Sequence, residues 1–194
     1  MDDIGPFTFN AVRFFVGFIT ILPLALLFET KKFKLKFKTG YRSFVILSFL
    51  IGLSLFLGSA LQQVALIYTD VANAAFFTIF YVPMVPIIIF IFKRDSLHWS
   101  VWPSVLLCLI GGYLLTNFYD ATIRLGDTLV ILGALFWSTH IIFIGMIIKM
   151  YNLPLTIGAI QTLLVALFSF IVGSLYEEFA VSYTHLTLPT KRIV

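Results

Sequence analysis

Apolar residues in this chain run in long unbroken blocks rather than in short alternations. Six blocks, at 7–28, 43–68, 71–92, 99–118, 126–148 and 155–176, are each long enough to cross a hydrocarbon layer as a helix. They far exceed the roughly 10 residues of a barrel strand and show no period of two. A helix also satisfies its own backbone hydrogen bonds, which lipid cannot do. The pattern therefore predicts an all-α, polytopic transmembrane helix bundle. The punctuation agrees: Pro6 and Pro154 stand where a first helical turn tolerates proline. Thr69-Asp70, Asp95-Ser96, Gly126-Asp127 and Asn152-Leu153-Pro154 separate the blocks.

Composition strengthens this reading. Hydrophobic residues make up 60% of the 194 and charged residues 11%, less than half the roughly 25% of a soluble domain. Such a surface is solvated by a bilayer, not by water. The lone Cys108 lies inside an apolar run and permits no intrachain disulfide. The net charge of +4 gives no reason to expect nucleic acid, because the basic residues lie mostly in short loops between apolar runs. No phosphate loop, zinc spacing or nucleophile–base pair is visible, so neither a metal nor a cofactor is expected.

Charge alternates from loop to loop. Lys31, Lys32, Lys34, Lys36, Lys38 and Arg42 follow the first block, Lys93 and Arg94 the third, and Lys149 the fifth. The opposite ends carry Asp2, Asp3, Asp70, Asp120, Arg124, Asp127, Glu177 and Glu178. By the positive-inside rule the lysine-bearing loops face the cytoplasm. The lysine run has a second reading, contact with anionic lipid head groups.

A repeat underlies the pattern. Pro6-Phe7-Thr8-Phe9-Asn10-Ala11-Val12-Arg13 and Pro154-Leu155-Thr156-Ile157-Gly158-Ala159-Ile160-Gln161 share proline, apolar, threonine, apolar, any, alanine, apolar and a long polar residue. The first copy starts at the outer face and the second at the inner one, as in the inverted repeats of many secondary transporters. A whole helix precedes the second copy but only five residues precede the first. The expectation is a truncated chain, six helices of about ten, lacking one helix upstream of Met1 and three downstream. Residues 1–118 would then be a first repeat without its first helix, and 126–178 the start of a second. Residues Val181 to Thr190 differ in character and resemble a translated sequencing-library adapter, so 181–194 is expected to be a non-native tail.

The run Gly58-Ser59-Ala60-Leu61-Gln62-Gln63-Val64-Ala65-Leu66-Ile67-Tyr68-Thr69, leading into Val71-Ala72-Asn73-Ala74-Ala75-Phe76, resembles the third-to-fourth helix junction of EamA-type transporters in the drug/metabolite transporter superfamily. Tyr81, Pro83 and Pro86, Ile110 to Leu115, Gly126-Asp127 with Ala134 to Ser138, and Pro6 to Arg13 are similar to that family's other helices in the same order. The resemblance covers about residues 4–178. It implies ten helices in two inverted five-helix repeats. It further implies a multi-pass protein of the bacterial inner membrane that carries small metabolites or drugs, usually outward. The implied partners are a small-molecule substrate and the lipid bilayer, with a homodimer left open. The contrasting class, a multi-helix membrane enzyme or assembly subunit, would show clustered His, Asp or Glu at one face, whereas the acidic residues here scatter.

Polar groups within the spans are the candidates for a substrate pathway. Gln62 and Gln63 must find a helix partner or a solute, because an unpartnered amide in hydrocarbon costs several kcal/mol. Asn73 and Thr78 open the third span, with Tyr81 one turn on and nearly on the same face. Pro83 and Pro86 predict a kink there. Trp137 and His140 lie three apart on the fifth block, the histidine a possible proton carrier. Arg13 either snorkels to the outer surface or meets an anion. Gly52, Gly58, Gly111, Gly112, Gly133 and Gly145 read as close-packing positions.

Overall fold

The computed structural model describes residues 4–36, 41–93, 98–115 and 124–177. Asp2, Asp3, Lys38, Arg94, Asp95, Ser96, Asp120, Glu178 and the 181–194 tail lie outside the described residues. The described residues form seven helices and no strand: α1 (Pro6–Lys36), α2 (Tyr41–Ala65), α3 (Val71–Thr78), α4 (Tyr81–Lys93), α5 (Val101–Leu115), α6 (Leu125–Tyr151) and α7 (Pro154–Tyr176). Five stretches are long and apolar enough to span a membrane, α3 and α4 together counting as one; α5 is a shorter apolar helix. This is an all-α polytopic bundle.

The third span is not the single helix expected from its apolar run. It breaks at Ile79–Phe80. Proline 83 has no N–H to give the Ile79 carbonyl, and the Val82 N–H takes that carbonyl instead, at 2.9 Å. The ladder tightens to three-residue spacing there, with Ile79 N–H on Phe76 O at 3.0 Å and Phe80 N–H on Phe77 O at 3.2 Å. The kink therefore lies ahead of both prolines, and Thr78 and Tyr81 fall on either side of it rather than one regular turn apart. Elsewhere the boundaries shift by a few residues. At its N-terminal end α6 is preceded by Arg124, whose backbone N–H donates to Asp127 Oδ2 at 2.8 Å. It ends on Asn152, which adopts the left-handed conformation (φ 52°) and donates its N–H to Ile148 O at 2.8 Å. Its 31 residues make α1 about 46 Å long, so its lysine-bearing end projects beyond a hydrocarbon layer of about 30 Å.

Helices α1 and α7 are antiparallel and make the most extensive pairing in the structure. Their ends are joined by two reciprocal clasps. The Glu177 carboxylate, just past α7, accepts hydrogen bonds from Phe7 N–H (2.7 Å), Thr8 N–H (2.8 Å) and the Thr8 hydroxyl (2.6 Å). The Glu29 carboxylate, late in α1, accepts from Leu155 N–H (3.1 Å), Thr156 N–H (2.7 Å) and the Thr156 hydroxyl (2.7 Å). Pro6, Thr8, Ala11 and Glu29 each stand 148 residues before Pro154, Thr156, Ala159 and Glu177. Each helix thus caps the other's first turn, where backbone N–H groups lack partners and the helix dipole favours an anion. Small residues make room: a Cβ on Gly5 would overlap the Glu177 carboxyl, and one on Gly173 would lie 3.4 Å from Thr8 N.

Helix α2 is the most enclosed span. It runs antiparallel to α6, with Phe44 against Tyr151 at one end (centroids 5.0 Å apart) and Ala65 O beside Gly126 at the other. Midway, Gly58 and Gly133 meet; a Cβ on Gly133 would stand 3.3 Å from Gly58 O. Gly52 is filled by Leu164 of α7, and Gly112 by Ile79 and Phe76 of the third span. Gly111 and Gly145 are corrections: a Cβ at either meets nothing within 4 Å, so they are not close-packing positions among the described residues. The two ends of the bundle differ in charge. Lys31, Lys32, Arg42 and Lys149 gather at the end that holds Glu29. Asp70 pairs with Arg124 at 2.9 Å at the other end, where Asp127 also accepts from the Thr69 hydroxyl.

Two outcomes test these contacts. Glu29→Ala strips an acceptor from three buried or half-buried donors and should cost about 3 kcal/mol; Glu177→Ala should cost somewhat less, because Glu177 is more exposed. Thermal unfolding midpoints in detergent read this, and an unchanged midpoint for both would refute the clasps. In the same assay Gly58→Leu should lower the midpoint, whereas Gly111→Ala should leave it unchanged or raise it, helix propensity favouring alanine by about 1 kcal/mol.

Candidate functional site

Within the apolar spans, polar side chains cluster around α2 toward the end that holds Asp70. Gln62 on α2 donates through Nε2 to Thr78 Oγ1 at 2.9 Å, and Thr78 donates in turn to Ala74 O at 2.6 Å. This contact ties α2 to α3 one residue before the break. One turn earlier on α2, Ser59 offers its backbone carbonyl to Asn10 Nδ2 at 3.3 Å. Asn10 is fully buried, and its Oδ1 accepts from Arg13 at 2.8 Å. The guanidinium carbon of Arg13 lies 5.4 Å from the Phe9 ring centroid and 5.0 Å from that of Phe14. Gln63, the next residue, is buried on α2.

A second group sits on the α2–α6 face. The Trp137 indole packs against Gly58, where a Cβ would stand 3.2 Å from Nε1. Its N–H is buried with no hydrogen-bond partner among the described residues. The His140 ring meets that of Trp137 edge-on at 5.9 Å, and its Nδ1 lies 3.2 Å from Ile51 O. Ser138, between them in sequence, bonds to Ala134 O at 2.7 Å and to the backbone carbonyl of Tyr81 at 3.3 Å, which anchors α4 just past the break. Close approach of α2 and α6 here is permitted by Gly58 on one helix and Gly133 on the other.

Five of the eight candidates fall into three places. Gln62 and Thr78 touch directly. Trp137 and His140 touch each other. Arg13 reaches α2 only through Asn10. Tyr81 contributes its carbonyl. Asn73 is half-buried near the start of α3 and makes no side-chain hydrogen bond among the described residues. Four grooves between helices, with volumes of about 190 to 360 Å³, are walled mainly by apolar side chains and include none of the eight. No group of three or more His, Cys, Asp or Glu side chains able to hold a metal occurs among the described residues.

Sequence reasoning overlooked Asn10, Glu29 and Ser59, and placed Glu177 only as a loop charge. A signal existed for the two glutamates: each follows its Pro-x-Thr motif by the same number of residues. For Asn10 there was none, since its repeat counterpart is Gly158 and an asparagine in a first helical turn is ordinary.

Comparison with known proteins places the chain in a family. Residues 1–117 match the EamA-like transporter family. An uncharacterized transporter of Archaeoglobus fulgidus is 32% identical over 152 residues, covering 78% of this chain and 44% of that protein. The chain therefore spans less than half the length of this curated relative. No solved structure matches the chain. With more than half its length matched by the family model and its helices apolar enough to span a membrane, the chain is a membrane protein that belongs to the EamA-like transporter family.

Proposed function

We propose that the protein to which this chain belongs moves a small organic solute across the bacterial inner membrane by alternating access, in the outward direction, with the lysine-bearing end in the cytoplasm. The observation that carries this reading is the reciprocal pairing of α1 and α7. Two helices with the same opening motif lie antiparallel, each capped by the other's glutamate. Inverted repeats of this kind give a transporter two related conformations, one open to each side. Residues 1–118 then belong to one repeat and 126–178 to the other, in a protein of about ten helices.

The polar contacts along α2 fit this role. The Gln62–Thr78 bond lies next to the Ile79–Phe80 break, so a solute that competes for either group acts beside the point where the hydrogen-bond ladder of the third span changes spacing. The unpaired Trp137 N–H is a donor facing α2, and leaving such a group buried costs about 1–3 kcal/mol unless a ligand uses it. Neither arrangement supplies a nucleophile or a carboxylate pair for covalent chemistry.

The reading is tested in vesicles holding the full-length protein, with efflux or uptake followed over a panel of amino acids, organic acids, nucleosides and lipophilic cations. Movement of at least one class above protein-free vesicles is expected, and failure of every class favours a membrane enzyme or assembly subunit instead. Gln62→Leu and Trp137→Phe should each lower transport about tenfold, the loss of one hydrogen bond worth ~1.4 kcal/mol, with expression and unfolding midpoint near those of the parent. Unchanged rates for both would remove these residues from the pathway.

A further inference from the structure

Arg13 is the one Lys or Arg inside the apolar spans; every other Lys and Arg stands at a helix end, in a loop or in the tail. A cation at that depth is costly and marks a functional position by default. Its surroundings are built rather than accidental. Asn10, fully buried, spends its amide N–H on the Ser59 carbonyl and turns its oxygen toward the guanidinium. Phe9 and Phe14 lie to either side of it, near enough for cation–π attraction. A guanidinium carries five N–H donors in a flat fork, and the described structure engages it through the single bond to Asn10. No carboxylate pairs with it among the described residues, where the one ion pair is Arg124–Asp70. The Glu177 carboxylate is committed to Phe7 and Thr8.

A side chain that merely snorkels extends freely toward the lipid surface. This one is exposed on the described surface, yet one of its N–H groups is held by Asn10, which is itself fully buried. We propose that Arg13 is an anion-recognition residue, oriented by Asn10, and that the transported solute carries a carboxylate or phosphate that seats on this fork near the Asp70 end of the bundle. A planar oxyanion matches the fork with two parallel hydrogen bonds, which a lysine cannot offer. The inference rests on the transporter reading above and adds the chemical class of the solute. The same chemistry could come from a lipid phosphate, and the experiment separates the two sources.

Full-length protein is reconstituted in vesicles of phosphatidylcholine alone and of phosphatidylcholine with phosphatidylglycerol. Transport of succinate, glutamate and glycerol 3-phosphate is compared with that of uncharged succinamide and cationic tetraphenylphosphonium. The expected result is movement of at least one anion in both vesicle types. Arg13→Gln lowers its kcat/KM about thirtyfold and Arg13→Lys about fivefold. A wild-type measurement guards against misfolding of the variants: the transported anion should slow modification of Arg13 by phenylglyoxal, read by mass spectrometry, and succinamide should not. The proposal is overturned if anion transport survives Arg13→Gln or if the anion gives no protection. Dependence of protection on phosphatidylglycerol alone assigns the fork to lipid and overturns it too. Movement of only the neutral or cationic probe defeats the anion assignment and leaves the transporter reading standing; movement of none defeats both.

Discussion

The constraint on which this structure turns is that a helix entering a membrane exposes backbone N–H groups that neither lipid nor the helix itself can satisfy. Soluble proteins cover these donors with a local Ser, Asp or Asn. Here Pro6 and Pro154 open their helices, which removes one donor from each first turn, and the remaining donors are met from outside by glutamates more than a hundred residues away. The solution has a geometric consequence. A carboxylate late in α1 can reach the start of α7 only if the helices are antiparallel and in register over their full length. The return contact, from Glu177 to Thr8, then falls into place at the other end. Two local electrostatic requirements thereby fix the orientation and register of the largest helix pair.

From that pair the rest follows in layers. Helix α2 packs on α7 through Gly52 and Leu164, and on α6 through Gly58 and Gly133. Polar side chains are affordable along α2 only where a partner stands within reach, and they occur there: Asn10 against Ser59, Gln62 against Thr78, Ser138 against the Tyr81 carbonyl. The third span differs from the others in its backbone. Its backbone is interrupted at Ile79–Phe80, and hydrogen bonds from α2 and α6 hold it just before and just after the interruption.

How much of this could be read from the residues depends on the range of the interaction. The spans were legible because each is a property of consecutive residues, and so was the inverted relation of Pro6–Arg13 to Pro154–Gln161. The break in the third span was legible only in part: the prolines announced it, but its position depends on which neighbour takes the carbonyl that Pro83 cannot serve. Gly111 and Gly145 misled because glycine in an apolar helix signals close approach only when another helix is there. The clasps were missed for a different reason. A glutamate beside a lysine run reads as loop punctuation, and nothing local says that Glu29 serves Thr156.

The two roles of charge in this chain can now be separated. Glu29, Glu177 and Asp127 each have their acceptors filled by backbone N–H groups or hydroxyls of the protein, so their charge is spent on the fold. Arg124 and Asp70 satisfy one another at an exposed end, where such a pair contributes little. Arg13 alone keeps donors in excess of its protein partner while standing among apolar spans. Glutamates stand where the first turns of α1 and α7 need acceptors, and among the described residues none pairs with this arginine. If the guanidinium were structural, a carboxylate would be the economical companion, as it is elsewhere in the chain. Its company is instead a neutral amide and two aromatic rings, which orient a cation without neutralising it, and that is the arrangement a binding site for a passing anion requires.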